Sequence, residues 1–291
     1  MSSLVPNPLA LAEQLSELGY VTDAGLATAL FCAVRLPQPL LLEGEAGVGK
    51  TQAAKALAAL LKVPLIRLQC FEGIDAAEAL YEWNYPRQLL GIRLAESQGG
   101  LSENSLFSRD YLITRPIMQA LEHPGPMPAV LLIDEIDRAD EEFEAFLFEM
   151  LAESTVTIPE LGTIRALVPP VVILTSNRSR DLHDALKRRC LYHWIDYPDL
   201  DRAIRIVRMR VPEAPEPLVA QIAGAVEHLR LLPLQKPPGV AEAIDWVHAA
   251  ELLGLNILNE STAQATLGSV LKYREDQELV RTPGMSWLPD A

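Results

Sequence analysis

Sulfur, aromatic rings and positive charge are all scarce in this chain. Only three of its 291 residues are cysteines, Cys32, Cys70 and Cys190. No C-x-x-C pair occurs among them, which excludes a disulfide framework and a zinc-ribbon spacing. Five scattered histidines offer no H-E-x-x-H or comparable metal spacing. Lys and Arg total 25 against 39 Asp and Glu, a formal charge of −14. Such a balance argues against a general nucleic-acid binder, which needs a basic face. Aromatics make up 6% and form no stripe interleaved with cations, which counts against a single-strand channel. A local basic channel in an assembly stays open. No apolar run approaches the ~18 residues of a membrane span, and the start of the chain to Leu9 lacks the basic and long apolar regions of a secretion signal. A cytoplasmic protein is expected. With 49% hydrophobic residues, the length suits one large domain plus a small one.

What is present is concentrated first in Gly44-Glu45-Ala46-Gly47-Val48-Gly49-Lys50-Thr51, a G-x-x-x-x-G-K-T phosphate loop. Its glycines let the backbone curl so that successive N–H groups face phosphate oxygens. Lys50 stands where an ammonium reaches the β- and γ-phosphates, and the Thr51 hydroxyl can ligate Mg²⁺. Leu40-Leu41-Leu42 before it reads as a buried strand, and the run from Thr51 to Leu61 reads as a helix. The anion would then lie at a helix N-terminus. This motif points to a nucleoside triphosphate, ATP with Mg²⁺.

Short apolar runs alternate with helical patterns along the following residues, as in an α/β fold with a parallel sheet. Candidate strands are 64–69, 129–133, 171–175 and 191–195, and the second and third lack polar interruption, as doubly covered strands do. Phe143, Phe146, Leu147, Met150 and Leu151 fall on one helical face with Asp140 as N-cap, so this aromatic stripe reads as core. Asp134-Glu135 directly follows an apolar strand in the Walker B arrangement. Asp134 would hold Mg²⁺ through its water shell, and Glu135 would orient and polarise the attacking water. Asp137, Asp140, Glu141 and Glu142 read as acids favouring a helix start. Asn177, at the tip of the 171–175 strand, could bridge water and γ-phosphate. Lys187-Arg188-Arg189 is either a solvated basic face or the source of an arginine acting in a neighbouring subunit.

Phosphate loop, Walker B pair, Asn177 and Arg188-Arg189, in this order, resemble an AAA+ ATPase: a P-loop core whose parallel sheet is sandwiched by helices, plus a small all-α lid. Residues 155–166 read as a β-hairpin, placed like the pre-sensor-1 hairpin of the helix-2-insert group. The stretch 72–115 is too long for a simple connection. It carries Leu80-Tyr81-Glu82-Trp83-Asn84-Tyr85, whose aromatics alternate as on a strand, and the Gly99-Gly100 break. These features are similar to the MoxR family over about residues 6 to 275. Gln69-Cys70-Phe71-Glu72-Gly73, Tyr81 to Tyr85 and Leu186-Lys187-Arg188-Arg189-Cys190 resemble its CoxD-like branch.

The resemblance implies a ring-forming, usually hexameric ATPase that remodels a client protein. That branch accompanies von Willebrand A-domain proteins and is associated with maturing molybdenum hydroxylases such as carbon monoxide dehydrogenase. It maps Walker A onto Gly44, Gly49, Lys50 and Thr51, Walker B onto Asp134 and Glu135, sensor 1 onto Asn177, and an arginine finger onto Arg189 or, second, Arg188. Other clients (carboxylase activation, gas-vesicle assembly) and a nucleic-acid motor are the alternatives. The expected layout is a core over 1–197, a lid over 198–275 with helices at about 199–209, 217–231 and 239–253, and a tail over 276–291, weakly structured from 282. No arginine stands in Lys236-Pro237-Pro238-Gly239-Val240-Ala241-Glu242, where a sensor 2 cation is expected. Either Lys236 substitutes or the lid supplies none.

Overall fold

The computed structural model describes residues 5–96, 106–281 and 288. The Gly99-Gly100 break and most of the tail, with Pro283, Gly284 and Pro289, lie outside these residues. The chain divides into two compact units. One contains Ala24–Glu43 and Ala54–His193 with the chain start to Leu11; the other contains Ala12–Asp23, Gly44–Ala53 and the chain from Trp194 onward.

In the first unit the apolar runs form a sheet flanked by helices. Its strands are β1 (Leu40–Gly44), β2 (Leu65–Gln69), β5 (Val130–Asp134), β8 (Val171–Ser176) and β9 (Leu191–Ile195), in the order β2-β5-β8-β1-β9. The ladders β1/β8, β2/β5 and β5/β8 are parallel. Every residue of β5 and β8 is buried, as expected for strands covered on both faces. β2, at an edge, is buried only at Leu68. Glu43 pairs with Ser176 and Ile133 with Leu174, so β1, β8 and β5 finish at one end of the sheet.

Helix Glu141–Glu153 opens where Asp140 Oδ1 accepts from the Phe143 N–H at 2.8 Å. It buries Phe143, Leu147, Met150 and Leu151 against Leu131, Ile133 and Leu174. Phe146 is partly buried against the same cluster, so the aromatic stripe is core. Ser154, at φ 51°, ends the helix and leads into the antiparallel hairpin of β6 (Thr155–Ile158) and β7 (Gly162–Arg165). Gly162, at φ 79°, supplies the left-handed residue of the turn.

The alternating aromatics of 80–85 give a shorter strand than their pattern suggests. Leu80 ends helix Ala76–Leu80, and only β3 (Tyr81–Trp83) pairs, with β4 (Leu112–Thr114). Asn84 Oδ1 accepts from the Arg87 N–H at 3.1 Å, and Pro86 lies in the first turn of helix Tyr85–Glu96. Cap and proline override the alternation. Trp83 packs edge-on against Tyr81 and Phe107 at 5.8 and 5.3 Å.

The second unit holds helices Leu200–Arg210, Glu216–Arg230, Val240–Leu252, Glu260–Val270 and Arg274–Arg281. The first three lie within about two residues of their expected bounds. Their core centres on Trp246, fully buried, whose Nε1 donates to Thr266 Oγ1 at 2.7 Å. The last of these helices, Arg274–Arg281, carries Asp276 in its first turn. Asp276 is buried and accepts from the Gln235 and Lys236 N–H groups at 2.8 and 3.2 Å. Among the described residues no helix is long and apolar enough to cross a membrane.

Candidate functional site

The phosphate loop belongs to the second unit. Gly44, Gly47 and Gly49 adopt φ of 154°, 80° and 96°, which side-chain-bearing residues rarely reach. A Cβ at Gly44 would also collide with the Ile195 carbonyl. Helix Lys50–Leu61 starts at the last two motif residues, Lys50 and Thr51. Lys50 is 7% exposed, and its Nζ donates to the Gly44 and Glu45 carbonyls, both at 2.7 Å. The ammonium is thereby drawn across the loop. Tyr20 donates its hydroxyl to the Gly49 carbonyl at 3.3 Å, and burial pushes that phenol well above its ordinary range.

The first turn of helix Val240–Leu252 lies against the same loop. A Cβ at Gly239 would stand 3.0 Å from the Ala46 carbonyl oxygen and 3.1 Å from the Gly47 Cα. Glu242 Oε2 accepts from the Gly239 N–H at 2.9 Å, so the side chain nearest Gly47 is a carboxylate. The exposed Lys236 is held through its backbone by Asp276. A different cation stands beside this turn. Arg230 Nε donates to the Pro238 carbonyl at 2.7 Å, and its guanidinium lies 4.2 Å above the Tyr197 ring. Burial, then the charge of Glu45, pushes the Tyr197 phenol up, with Arg230 opposing; burial lowers the Arg230 value. Sequence reading missed Arg230 because it closes the preceding helix.

Asp134, Glu135 and Asn177 come together in the first unit. Asp134 ends β5 and is buried; its Oδ1 accepts from Thr175 Oγ1 at 2.6 Å, and its Oδ2 from Arg67 Nε and Nη2 at 2.9 and 2.6 Å. Glu135 takes the left-handed conformation, φ 57° and ψ 49°, and its N–H donates to the same Thr175 oxygen at 2.9 Å. Its carboxylate pairs with Arg138 Nε at 2.8 Å. A left-handed non-glycine residue is held by its surroundings at a cost of about 1 kcal/mol or more. Thr175, central to that hold, carries no motif signal.

Asp137 lies in the short 3-10 turn Ile136–Arg138, and it does more than favour a helix start. It is buried, and its Oδ2 accepts from the Asn177 N–H (3.2 Å), the Ser179 N–H (2.8 Å) and Ser179 Oγ (2.7 Å). The chain leaving β8 is thus clamped to the turn after β5, which fixes Asn177 beside Asp137. Glu144 is buried too; it accepts from the His183 N–H at 2.8 Å and pairs with Arg180. Asp140, by contrast, is the N-cap expected of it.

Arg188 and Arg189 fall in the last turn of helix Asp184–Arg189. Arg188 is exposed, while Arg189 lies 5.1 Å above the Phe148 ring. Cys190 is pushed up to about 12 by burial, against the opposing charge of Arg189. Cys70 is also pushed up to about 12, by burial and then by the charges of Asp134, Asp137 and Glu135. Neither thiol is a nucleophile at neutral pH. Among the described residues no three His, Cys, Asp or Glu side chains converge as a metal cage.

Residues 39–190 match the family described as AAA domain (dynein-related subfamily). An uncharacterized protein of Staphylococcus epidermidis is 26% identical over 265 residues, covering 87% of this chain and 91% of its own length. One of Staphylococcus saprophyticus is 23% identical over 258 residues, covering 85% and 89%. A RuvB point mutant of Thermotoga maritima superposes with a TM-score of 0.50 at 15% identity, over 93% of this chain and 72% of that one. At that identity the likeness is one of fold. The family match spans more than half of the chain and contains the phosphate loop, both Walker B carboxylates, Asn177 and Arg189. This chain belongs to the dynein-related AAA domain family.

Proposed function

We propose that the chain hydrolyses ATP with Mg²⁺ and couples the hydrolysis to remodelling another protein, as a MoxR-type AAA+ ATPase of the CoxD-like branch. The observation that carries the chemistry is the Asp134–Glu135 pair fixed by one buried hydroxyl, Thr175. In this reading the backbone of Gly44, Glu45, Ala46, Gly47, Val48 and Gly49 binds the phosphates, and Lys50 neutralises them. Thr51 and Asp134 hold Mg²⁺. The fit is chemical: a hydroxyl and a carboxylate are hard oxygen donors of the kind Mg²⁺ takes together with phosphate oxygens. Bound there, Mg²⁺ would neutralise charge on the transferred phosphoryl group.

Glu135 orients and polarises the attacking water and accepts its proton, and Asn177 bridges that water and the γ-phosphate. Arg189, with Arg188 as the second choice, serves a neighbouring subunit in a homo-oligomeric ring, taken as a hexamer. A von Willebrand A-domain partner and a client metalloenzyme, a molybdenum hydroxylase such as carbon monoxide dehydrogenase, complete the proposal, with the cytoplasm as its location. The formal charge of −14 disfavours a nucleic-acid motor.

Glu135→Gln tests the reading. The amide keeps shape but cannot take a proton, so ATP affinity should stay near wild type while turnover falls ~10² or more. Unchanged turnover would move the base elsewhere. Proteins retained by the ATP-locked variant, identified by mass spectrometry, would name the client; a retained nucleic acid would overturn the remodeller.

A further inference from the structure

Both oxygens of the Asp134 carboxylate are engaged by side chains from other strands. Thr175 on β8 takes Oδ1, and the guanidinium of Arg67 on β2 takes Oδ2 through two N–H groups. The two partners differ in freedom. Thr175 is buried on a central strand, while Arg67 belongs to the edge strand and its side chain is 47% exposed against 3% for Asp134. Gln69 Oε1, two residues along β2, accepts from the same Arg67 Nη2 and steadies the guanidinium over the carboxylate. A buried carboxylate without a counter-charge is strongly destabilising. A guanidinium half in water can withdraw from its partner without being desolvated.

We infer that Arg67 is the resident counter-ion of Asp134 and sets how tightly Mg²⁺ is held, because the metal and the guanidinium compete for its carboxylate. This inference rests on the reading of Asp134 as a metal ligand. Arg67 itself touches no reacting atom; it acts through Asp134 as an affinity-setting residue. The arrangement keeps the carboxylate paired in both states, by Arg67 without the metal and by Mg²⁺ with it. Replacing the guanidinium by a neutral amide should therefore tighten Mg²⁺ binding and weaken the metal-free fold. A static structural pair would do only the second.

The experiment compares the wild type with Arg67→Gln and Arg67→Lys in two measurements. The first is Mg²⁺ titration of the binding of a fluorescent ADP analogue. The second is thermal melting in EDTA and in Mg²⁺ with ADP. In Arg67→Gln the half-saturating Mg²⁺ concentration should fall about tenfold, the scale of one charge-assisted contact. Its melting temperature should drop in EDTA and return towards wild type in Mg²⁺ with ADP. Arg67→Lys, a point charge without the fork, should lie between, and it carries the test if the glutamine variant does not fold. An unchanged or raised Mg²⁺ requirement in both variants would overturn the inference, leaving Arg67 a structural partner or a ligand contact. A wild type whose analogue binding ignores Mg²⁺ would instead overturn the reading of Asp134 itself.

Discussion

The phosphate loop and the carboxylate cluster reach their geometry by opposite routes. In the loop, three glycines at positive φ curl the chain, and Lys50 is held by carbonyls five and six residues before it. Almost everything the loop needs lies within its own eight residues. In the cluster, Asp134 and Glu135 are set by side chains distant in sequence: Thr175 at a separation of 40 to 41, and Arg67 at 67. Asp137 fixes Asn177 across 40 residues. One half is written locally and tolerates change elsewhere; the other exists only once β2, β5 and β8 have paired.

The sharpest break of this comparison is Lys50→Ala. The substitution removes the loop's own cation and leaves its backbone N–H groups alone with the phosphates. Binding of a fluorescent ATP analogue should be lost, a fall of ~100-fold or more, on the scale of a charge-assisted contact to a multiply charged ligand. The Gly44 and Glu45 carbonyls also lose the Nζ donor, so the melting temperature should fall modestly beside the much larger loss of binding. Wild-type-like affinity would remove the loop from the site. Mixed with Arg189→Ala, this variant also probes the ring: partial recovery of hydrolysis in mixed assemblies fits an arginine acting across subunits. No recovery despite demonstrated mixing counts against Arg189.

Thr175 should behave in the opposite manner. Thr175→Val keeps the volume but removes the hydroxyl that donates to Asp134 and accepts from Glu135. Two buried groups then lose a partner, costing about 2 kcal/mol of stability by urea denaturation. Turnover should fall by roughly tenfold as the left-handed Glu135 loosens. Thr175→Ser retains the hydroxyl and loses one methyl, about 1 kcal/mol, with near-normal turnover. Equal behaviour of the two variants would show that packing, and not the shared hydroxyl, fixes the pair.

The same contrast explains what could be read from the sequence. The strands after the loop, the Asp140 cap and the 155–166 hairpin follow from periodicity and turn residues, which are local. So does the phosphate loop. The roles of Asp137 and Glu144 were not legible, because a buried acid and a solvated helix-start acid look alike until the groups that satisfy them are placed. Ser179 and Arg180, which do so, stand in a loop with no pattern of its own. Arg67 read simply as one residue of a candidate strand. Arg230 was overlooked for a related reason: its position beside Gly239 is set by the turn at Pro238 and by the Tyr197 ring, neither of which spacing predicts.

The smallest effect concerns a non-local feature of the loop, its contact with the turn at Gly239. Gly239 has φ −89° and ψ −170°, an extended conformation that alanine adopts freely. Any consequence of Gly239→Ala must therefore come from the space its methyl would fill. That space ends 3.0 Å away at the Ala46 carbonyl oxygen and 3.1 Å away at the Gly47 Cα, both backbone atoms that cannot rotate aside. The methyl should push the helix turn off the loop by a few tenths of an ångström. A small strain of about 1 kcal/mol would appear as a fewfold loss of nucleotide affinity. Gly268→Ala in helix Glu260–Val270 is the matched control. Its methyl would meet nothing closer than Gln277 Nε2 at 3.9 Å, so helix propensity alone should raise stability by roughly 0.5–1 kcal/mol. Nucleotide affinity should not move in the control. If Gly239→Ala instead bound nucleotide like wild type, the loop would prove as self-sufficient as its sequence implies, and the turn at Gly239 a neighbour without influence on it.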